Sequence, residues 1–196
     1  MNTAAALEAL DAGGIVALPT DTVYGLAARI DRPGALAAIF AAKGRPRDLA
    51  LPVLVGHRRQ VADVSAGWPR AAETLAAAFW PGPLTVVVPA VADLGERLGS
   101  GGTVGVRLPR HELVRAICTQ AGPLAVTSAN LHGRPPCTTP DEVTASFGAG
   151  EVAVVVDGGR CDGVPSTVVD CTASRPVCVR EGGVPWDLIE AALAER

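Results

Sequence analysis

TVGVRLPRHELVRAICTQAGPLAVT, residues 103–127, contains two short apolar runs with a helical stretch between them. Residues 103–108 and 124–127 read as strands, and residues 109–120 as a helix. Apolar strands alternating with helices belong in a sheet whose faces the helices cover. Outward from this stretch the same grammar repeats. Strands are expected at residues 15–18, 51–55, 84–89, 152–156, 166–171 and 177–180, and helices at 3–12, 33–42, 69–79, 141–147 and 186–194. Gly13-Gly14 suits the end of the first helix, and Pro33 the first turn of the second. The expected fold is α/β (mixed α+β), with the strand order left open. Many of the 22 glycines and 16 prolines fall at strand ends, where open sheets carry their ligand loops.

The bulk numbers narrow the function. At 196 residues and 48% hydrophobic the chain is expected to form one domain, residues 3–196, and its 19% charged fraction is too low for a disordered chain. A net charge of −3 gives no bulk case for nucleic-acid binding. Residues 1–10 lack the features of a signal peptide, and apolar runs such as 86–92 fall short of the roughly 18 residues a membrane helix needs. A cytoplasmic protein without membrane contact is expected. Five cysteines without a CxxC pair read as reduced thiols, and three histidines have no metal-ligand spacing, so no protein-bound metal is expected. Lys43 is the only lysine among 17 basic residues, Tyr24 is the only tyrosine, and asparagine occurs only at Asn2 and Asn130. Such rare survivors mark positions where an ammonium, a phenol or a carboxamide has a specific task.

The usual nucleotide and hydrolase motifs are missing. There is no GxxxxGK[ST] and no GxSxG, and Gly99-Ser100-Gly101-Gly102 leads into a strand instead of a helix. Polar clusters stand instead at strand and helix ends. Thr20, Asp21 and Thr22 follow the first strand; they either bind a small polar ligand or form a hydroxyl-capped turn. Lys43 and Arg45 close the second helix, where they suit either a polyphosphate or the helix dipole. Pro46 restricts Arg45 to an extended backbone that aims it away from that helix. Thr103 and Arg107 share one strand face, with Gly105 leaving room between them for a ligand, although a surface edge strand has the same look. Ser128 and Asn130 share a side if their strand continues through both. Ser166 and Arg180 follow in later clusters.

In this order and spacing, PTDTVYGL (19–26), KGRP (43–46), WPGPLT (80–85), TVGVRLP (103–109), TSAN (127–130), PSTVVD (165–170) and VREGG (179–183) resemble the YrdC-like family of threonylcarbamoyl-AMP synthases. The resemblance runs from about residue 14 to 186. It implies a twisted mixed sheet flanked by helices around a deep basic cavity, in the short form without an extra C-terminal domain. It implies synthesis of threonylcarbamoyl-AMP and pyrophosphate from L-threonine, bicarbonate or CO2 and ATP with Mg2+. Downstream transferase proteins would then modify adenosine 37 of tRNA. Lys43, Arg45, Ser128 and Asn130 match the catalytic K-x-R and S-x-N signature. Arg45, Thr103, Ser128 and Arg180 would hold ATP, and Thr22, Arg107 and Ser166 would hold threonine. The pattern is broken at Leu49, Leu54 and Pro136, where a nucleotide contact, a threonine contact and a second nucleotide contact are expected to be lost. Weak tRNA binding by the synthase is a further expectation, and the rivals are an O-carbamoyltransferase domain and a non-catalytic RNA-binding maturation factor.

Overall fold

The computed structural model describes residues 3–194; Met1, Asn2 and residues 195–196 of the expected domain lie outside the described residues. The chain runs α1 (Thr3–Asp11), β1 (Val16–Leu18), β2 (Gly25–Arg29), α2 (Pro33–Lys43), β3 (Val53–Leu54), a 3-10 turn at Arg58–Asp63, α3 (Arg70–Phe79) and β4 (Leu84–Pro89). It continues through α4 (Leu94–Leu98), β5 (Thr103–Arg107), α5 (Glu112–Ala121), β6 (Leu124–Ser128), α6 (Pro140–Ser146), β7 (Val154–Val155), β8 (Thr167–Asp170), β9 (Val177–Arg180) and α7 (Trp186–Ala194). The strands form one mixed sheet in the order β7-β1-β2-β6-β3-β5-β4-β8-β9. Three neighbouring pairs are parallel (β1–β7, β3–β5, β4–β8) and the others antiparallel, so the α/β, mixed-sheet expectation holds.

Local signals account for several boundaries. Pro33 opens α2, and Gly44 ends it in a left-handed conformation (φ 58°), with its N–H on the Ala41 carbonyl. Thr139 and Glu142 form a reciprocal capping box at the start of α6.

Alternation along the strands sorts their side chains onto two faces. One face buries Leu26, Val53, Val86, Val88, Val104, Val106 and Ala125 against Leu36, Ile39 and Phe40 of α2, Leu75 of α3, Leu98 of α4 and Ile189 of α7. The other face buries Val16, Leu18, Ala27, Leu54, Leu124 and Val126 against Ala6 and Leu10 of α1 and Val114, Ile117 and Cys118 of α5. That second cover stops at β3. Beyond it the same face continues through β5, β4 and β8, where Thr103, Gly105, Val87 and Val168 are only half-buried. One half of the face is core; the other is a floor.

Three elements were not expected from sequence: β2, α4 and the 3-10 turn. Strand β6 ends at Ser128, so the strand does not continue through Asn130, which lies in the following turn with its N–H on the Ser128 carbonyl at 3.0 Å.

Candidate active site

The turn between β1 and β2 holds the first part of the site. Thr20 Oγ1 lies 2.8 Å from Thr22 Oγ1, donates to the Val23 carbonyl at 2.7 Å, and accepts from the backbone N–H groups of Thr22 and Val23. The hydroxyl-turn reading is therefore correct for Thr20, and the turn presents Asp21 and Thr22 to Arg107 at the end of β5. The Arg107 guanidinium donates to the Gly82 carbonyl and to Thr22 Oγ1, both at 3.0 Å, and pairs with Asp21 Oδ1. Burial lowers its proton affinity, and the Asp21 charge works in the opposite direction. Each of its three nitrogens has a protein acceptor, and two of its five N–H groups are left over.

Lys43, the last residue of α2, is 2% exposed. Its ammonium donates to the backbone carbonyls of Ser128 and Asn130, and to Asn130 Oδ1 at 3.4 Å. Asn130 Nδ2 in turn donates to the Leu131 and Arg134 carbonyls at 2.8 and 2.7 Å, which fixes the turn after β6. All the acceptors of Lys43 are neutral. Burial, and then the Arg45 charge, bring its pKa down to about 8. Arg45 does turn away from α2: its guanidinium donates to the Leu49 and Ala50 carbonyls at 2.9 and 3.1 Å. Burial, and then the charge of Arg180, lower its proton affinity.

Ser166, at the entry to β8, joins these groups. Its hydroxyl is 3.0 Å from Thr85 Oγ1, and its carbonyl accepts from Arg180 Nε and Nη2 at 3.1 and 2.8 Å. Arg180 also lies close enough to depress the proton affinity of Arg107. The structure thus chains Lys43, Arg45, Arg180 and Arg107 together with Thr22, Ser166, Asn130 and the Ser128 main chain.

Other predicted residues fare differently. Thr103 shares the Arg107 face, but four residues of strand place it about 13 Å away, and its hydroxyl donates to the Ser100 carbonyl at 3.2 Å. The room expected over Gly105 is already occupied, since a Cβ there would meet Thr85 Cγ2 at 3.1 Å and Pro52 Cβ at 3.5 Å. Leu54 is buried opposite Arg107 in the β3–β5 register, and Leu49 is exposed. Gly25 lies opposite Ser128, and a Cβ at Gly25 would stand 2.6 Å from Val126 Cγ1. Glycine is required there to keep β2 beside β6.

Sequence reasoning missed the partner of Arg107, Asp21, because 86 residues separate them. It also missed His111, the residue before α5, whose Nδ1 is buried without a hydrogen-bond partner, as is Asp21 Oδ2. Two surface depressions of about 520 and 660 Å3, at residues 58–73 and 174–194, contain none of the predicted site residues.

The comparisons with known proteins cover this whole arrangement. A Pyrococcus abyssi protein named threonylcarbamoyl-AMP synthase is 41% identical over 187 residues, which are 93% of this chain and 54% of that protein. The chain therefore spans about half the length of that relative. A Mycobacterium tuberculosis protein is 38% identical over 190 residues, covering 96% of this chain and 87% of its own length. P. abyssi Sua5, solved in complex with L-threonine, superposes with a TM-score of 0.92 at 39% identity, over 97% of this chain and 56% of that one. The family model for Sua5, YciO and YrdC, described as "Telomere recombination", matches residues 8–182, the span that contains every residue of the cationic cluster. The chain belongs to the Sua5/YciO/YrdC family.

Proposed function

We propose that this chain condenses L-threonine, bicarbonate or CO2 and ATP into threonylcarbamoyl-AMP and pyrophosphate. The observation that carries the reading is an imbalance of charge. Lys43, Arg45 and Arg180 gather with no carboxylate paired to any of them among the described residues, beside an Arg107 that Asp21 already neutralises. Partly buried cations without counter-ions favour a polyanion, and a triphosphate supplies one. The neighbouring Arg107 fork, with Thr22 and Ser166, suits a small hydroxy amino acid held by its carboxylate. The name of the P. abyssi relative and its threonine complex support the same assignment.

In this reading Arg45, Thr103, Ser128 and Arg180 hold ATP, while Thr22, Arg107 and Ser166 hold threonine. The threonine amine takes up CO2 to form a carbamate, whose oxygen attacks the α-phosphorus and expels pyrophosphate. The step needs no protein nucleophile. Lys43 and Arg45 stabilise charge on the transferring and leaving phosphates, and Asn130 and the Ser128 carbonyl hold the ammonium in place. Mg2+ enters as part of the nucleotide substrate, held by its phosphates. The product would pass to transferases that modify tRNA at adenosine 37, in the cytoplasm, from a single domain spanning residues 3–196.

The test is to incubate the chain with ATP, bicarbonate, Mg2+ and each amino acid in turn. Pyrophosphate and an adenylate product should appear with threonine. Salt-sensitive RNA binding without pyrophosphate release would sink the proposal in favour of an RNA-binding role.

A further inference from the structure

Two buried polar atoms have no partner, one of them on Asp21, the acid paired with Arg107, and the reaction proposed above does not use them. Asp21 Oδ1 is committed to Arg107, but Oδ2 is buried without a hydrogen bond. His111 Nδ1 is in the same condition. Native structures rarely leave such atoms unmatched, and each one asks for a partner.

The two groups are neighbours. Asp21 raises the proton affinity of His111 while burial lowers it, so the carboxylate charge reaches the ring. A Cβ placed at Gly158 would lie 3.7 Å from His111 Nε2 and 2.5 Å from Pro19 Cγ, which sets the imidazole against the turn that carries Asp21. That turn is backed by Tyr24, whose hydroxyl accepts from the Gly158 N–H at 3.1 Å and donates to the Gly159 carbonyl at 2.9 Å. A direct bond between Asp21 and His111 would satisfy both atoms, and none is formed.

We propose that Asp21 Oδ2 and His111 Nδ1 together receive the amino group of the amino-acid substrate. A carboxylate oxygen only accepts, and a neutral imidazole with its proton on Nε2 accepts at Nδ1. Both therefore call for a donor with more than one N–H, which an ammonium or amine provides and a carboxylate or phosphate does not. An α-amino acid carries its amine and carboxylate on one carbon. A single small ligand can therefore lay its carboxylate on Arg107 and its amine on Asp21, since those two side chains already touch. This deepens the proposed function and rests on it for the identity of the amino acid. Asp21 and His111 act here as binding and positioning residues, aiming the nitrogen that must form the bond to carbon.

Calorimetric titration without nucleotide or Mg2+, using L-threonine and β-hydroxybutyrate (the same acid without its amine), separates the outcomes. Asp21→Asn keeps an oxygen for Arg107 and replaces the orphan acceptor with a donor. It should weaken threonine at least tenfold and leave β-hydroxybutyrate unchanged. His111→Phe should weaken threonine several-fold, again without effect on β-hydroxybutyrate. Equal weakening of both ligands by Asp21→Asn would mean that Asp21 only braces Arg107, and would overturn the proposal. Unchanged threonine binding in both variants would assign the two atoms to water, and overturn it too. If the unsubstituted chain binds no threonine, the proposed function itself falls and takes this inference with it. Threonine binding that ignores both substitutions removes the amine receptor alone.

Discussion

The two halves of one sheet face differ in their lid. Over β1, β2, β6 and β3 the face is closed by α1 and α5, and Val16, Leu18, Ala27 and Leu124 are fully buried there. Over β5, β4 and β8 none of the helices among the described residues joins that cluster, and the same alternation places half-buried Thr103 and buried Arg107 and Thr85 there. The backbone is alike in both halves. What differs is the outward side chains: aliphatic ones throughout the covered half, and valines mixed with hydrogen-bonding residues in the other. Arg107 stands at the seam, opposite Leu54, the last covered strand residue.

The largest expected effect falls on the covered half. Ile117 is fully buried between α5 and the sheet. Ile117→Ala should lower unfolding free energy by about 2–5 kcal/mol through lost burial and a residual cavity, read in a denaturant titration. Turnover per folded molecule should stay within about twofold. A large loss of turnover without loss of stability would mean that the two halves are not separable.

The cationic cluster should respond in the opposite sense. Lys43→Ala or Arg45→Ala should cut turnover about 100-fold or more, a typical loss for one preorganised donor at a charged transition state. Near-normal pyrophosphate release in either variant would remove that residue from the role. The pH dependence sharpens the contrast. With its pKa brought down to about 8, Lys43 loses its cation as pH rises through that value, and turnover should decline over the same range. Stability should move the other way. A lysine whose folded pKa lies below the ordinary 10.5 burdens the fold fully at pH below about 8, and that burden lifts as pH climbs from about 8 towards 10.5. Against Lys43→Met, the unsubstituted chain should therefore gain stability across that window, and a flat difference would place the ammonium in water.

Sequence reading recovered all three strands of the floor, β5, β4 and β8, and missed β2 in the covered half. The strand–helix–strand of residues 103–127 is legible because β5, α5 and β6 each carry a local period. β2 is not: Gly25-Leu26-Ala27-Ala28-Arg29 has no β-branched residue, and its alanines favour a helix. It becomes a central strand because Leu26 and Ala28 are buried on one side and Ala27 on the other, an instruction that only the packed neighbours supply. α4 was hidden because it has five residues and contains Gly95, where a Cβ would stand 1.7 Å from the Gly101 carbonyl oxygen. At the site, the rare residues were a sound guide. Lys43, Tyr24 and Asn130 are all buried, each with long-range or turn-fixing bonds. The pairing of Arg107 with Asp21 was illegible, since nothing local couples residues 86 positions apart.

The smallest effect tests whether the covered half is held by its apolar seam or by its charged rim. Arg29, at the end of β2, pairs with Asp11, the last residue of α1, and with Asp31, whose side chains are 65% and 54% exposed. Ion pairs so open to water contribute little, because solvent and salt screen them and ordering two side chains offsets the gain. Asp11→Ala should therefore cost less than about 1 kcal/mol in the same denaturant titration, and less again in molar salt. Turnover should not change. A loss as large as that of Ile117→Ala would mean that α1 is clamped by this bridge, and the difference between the two halves would then rest on charge instead of on the apolar lid.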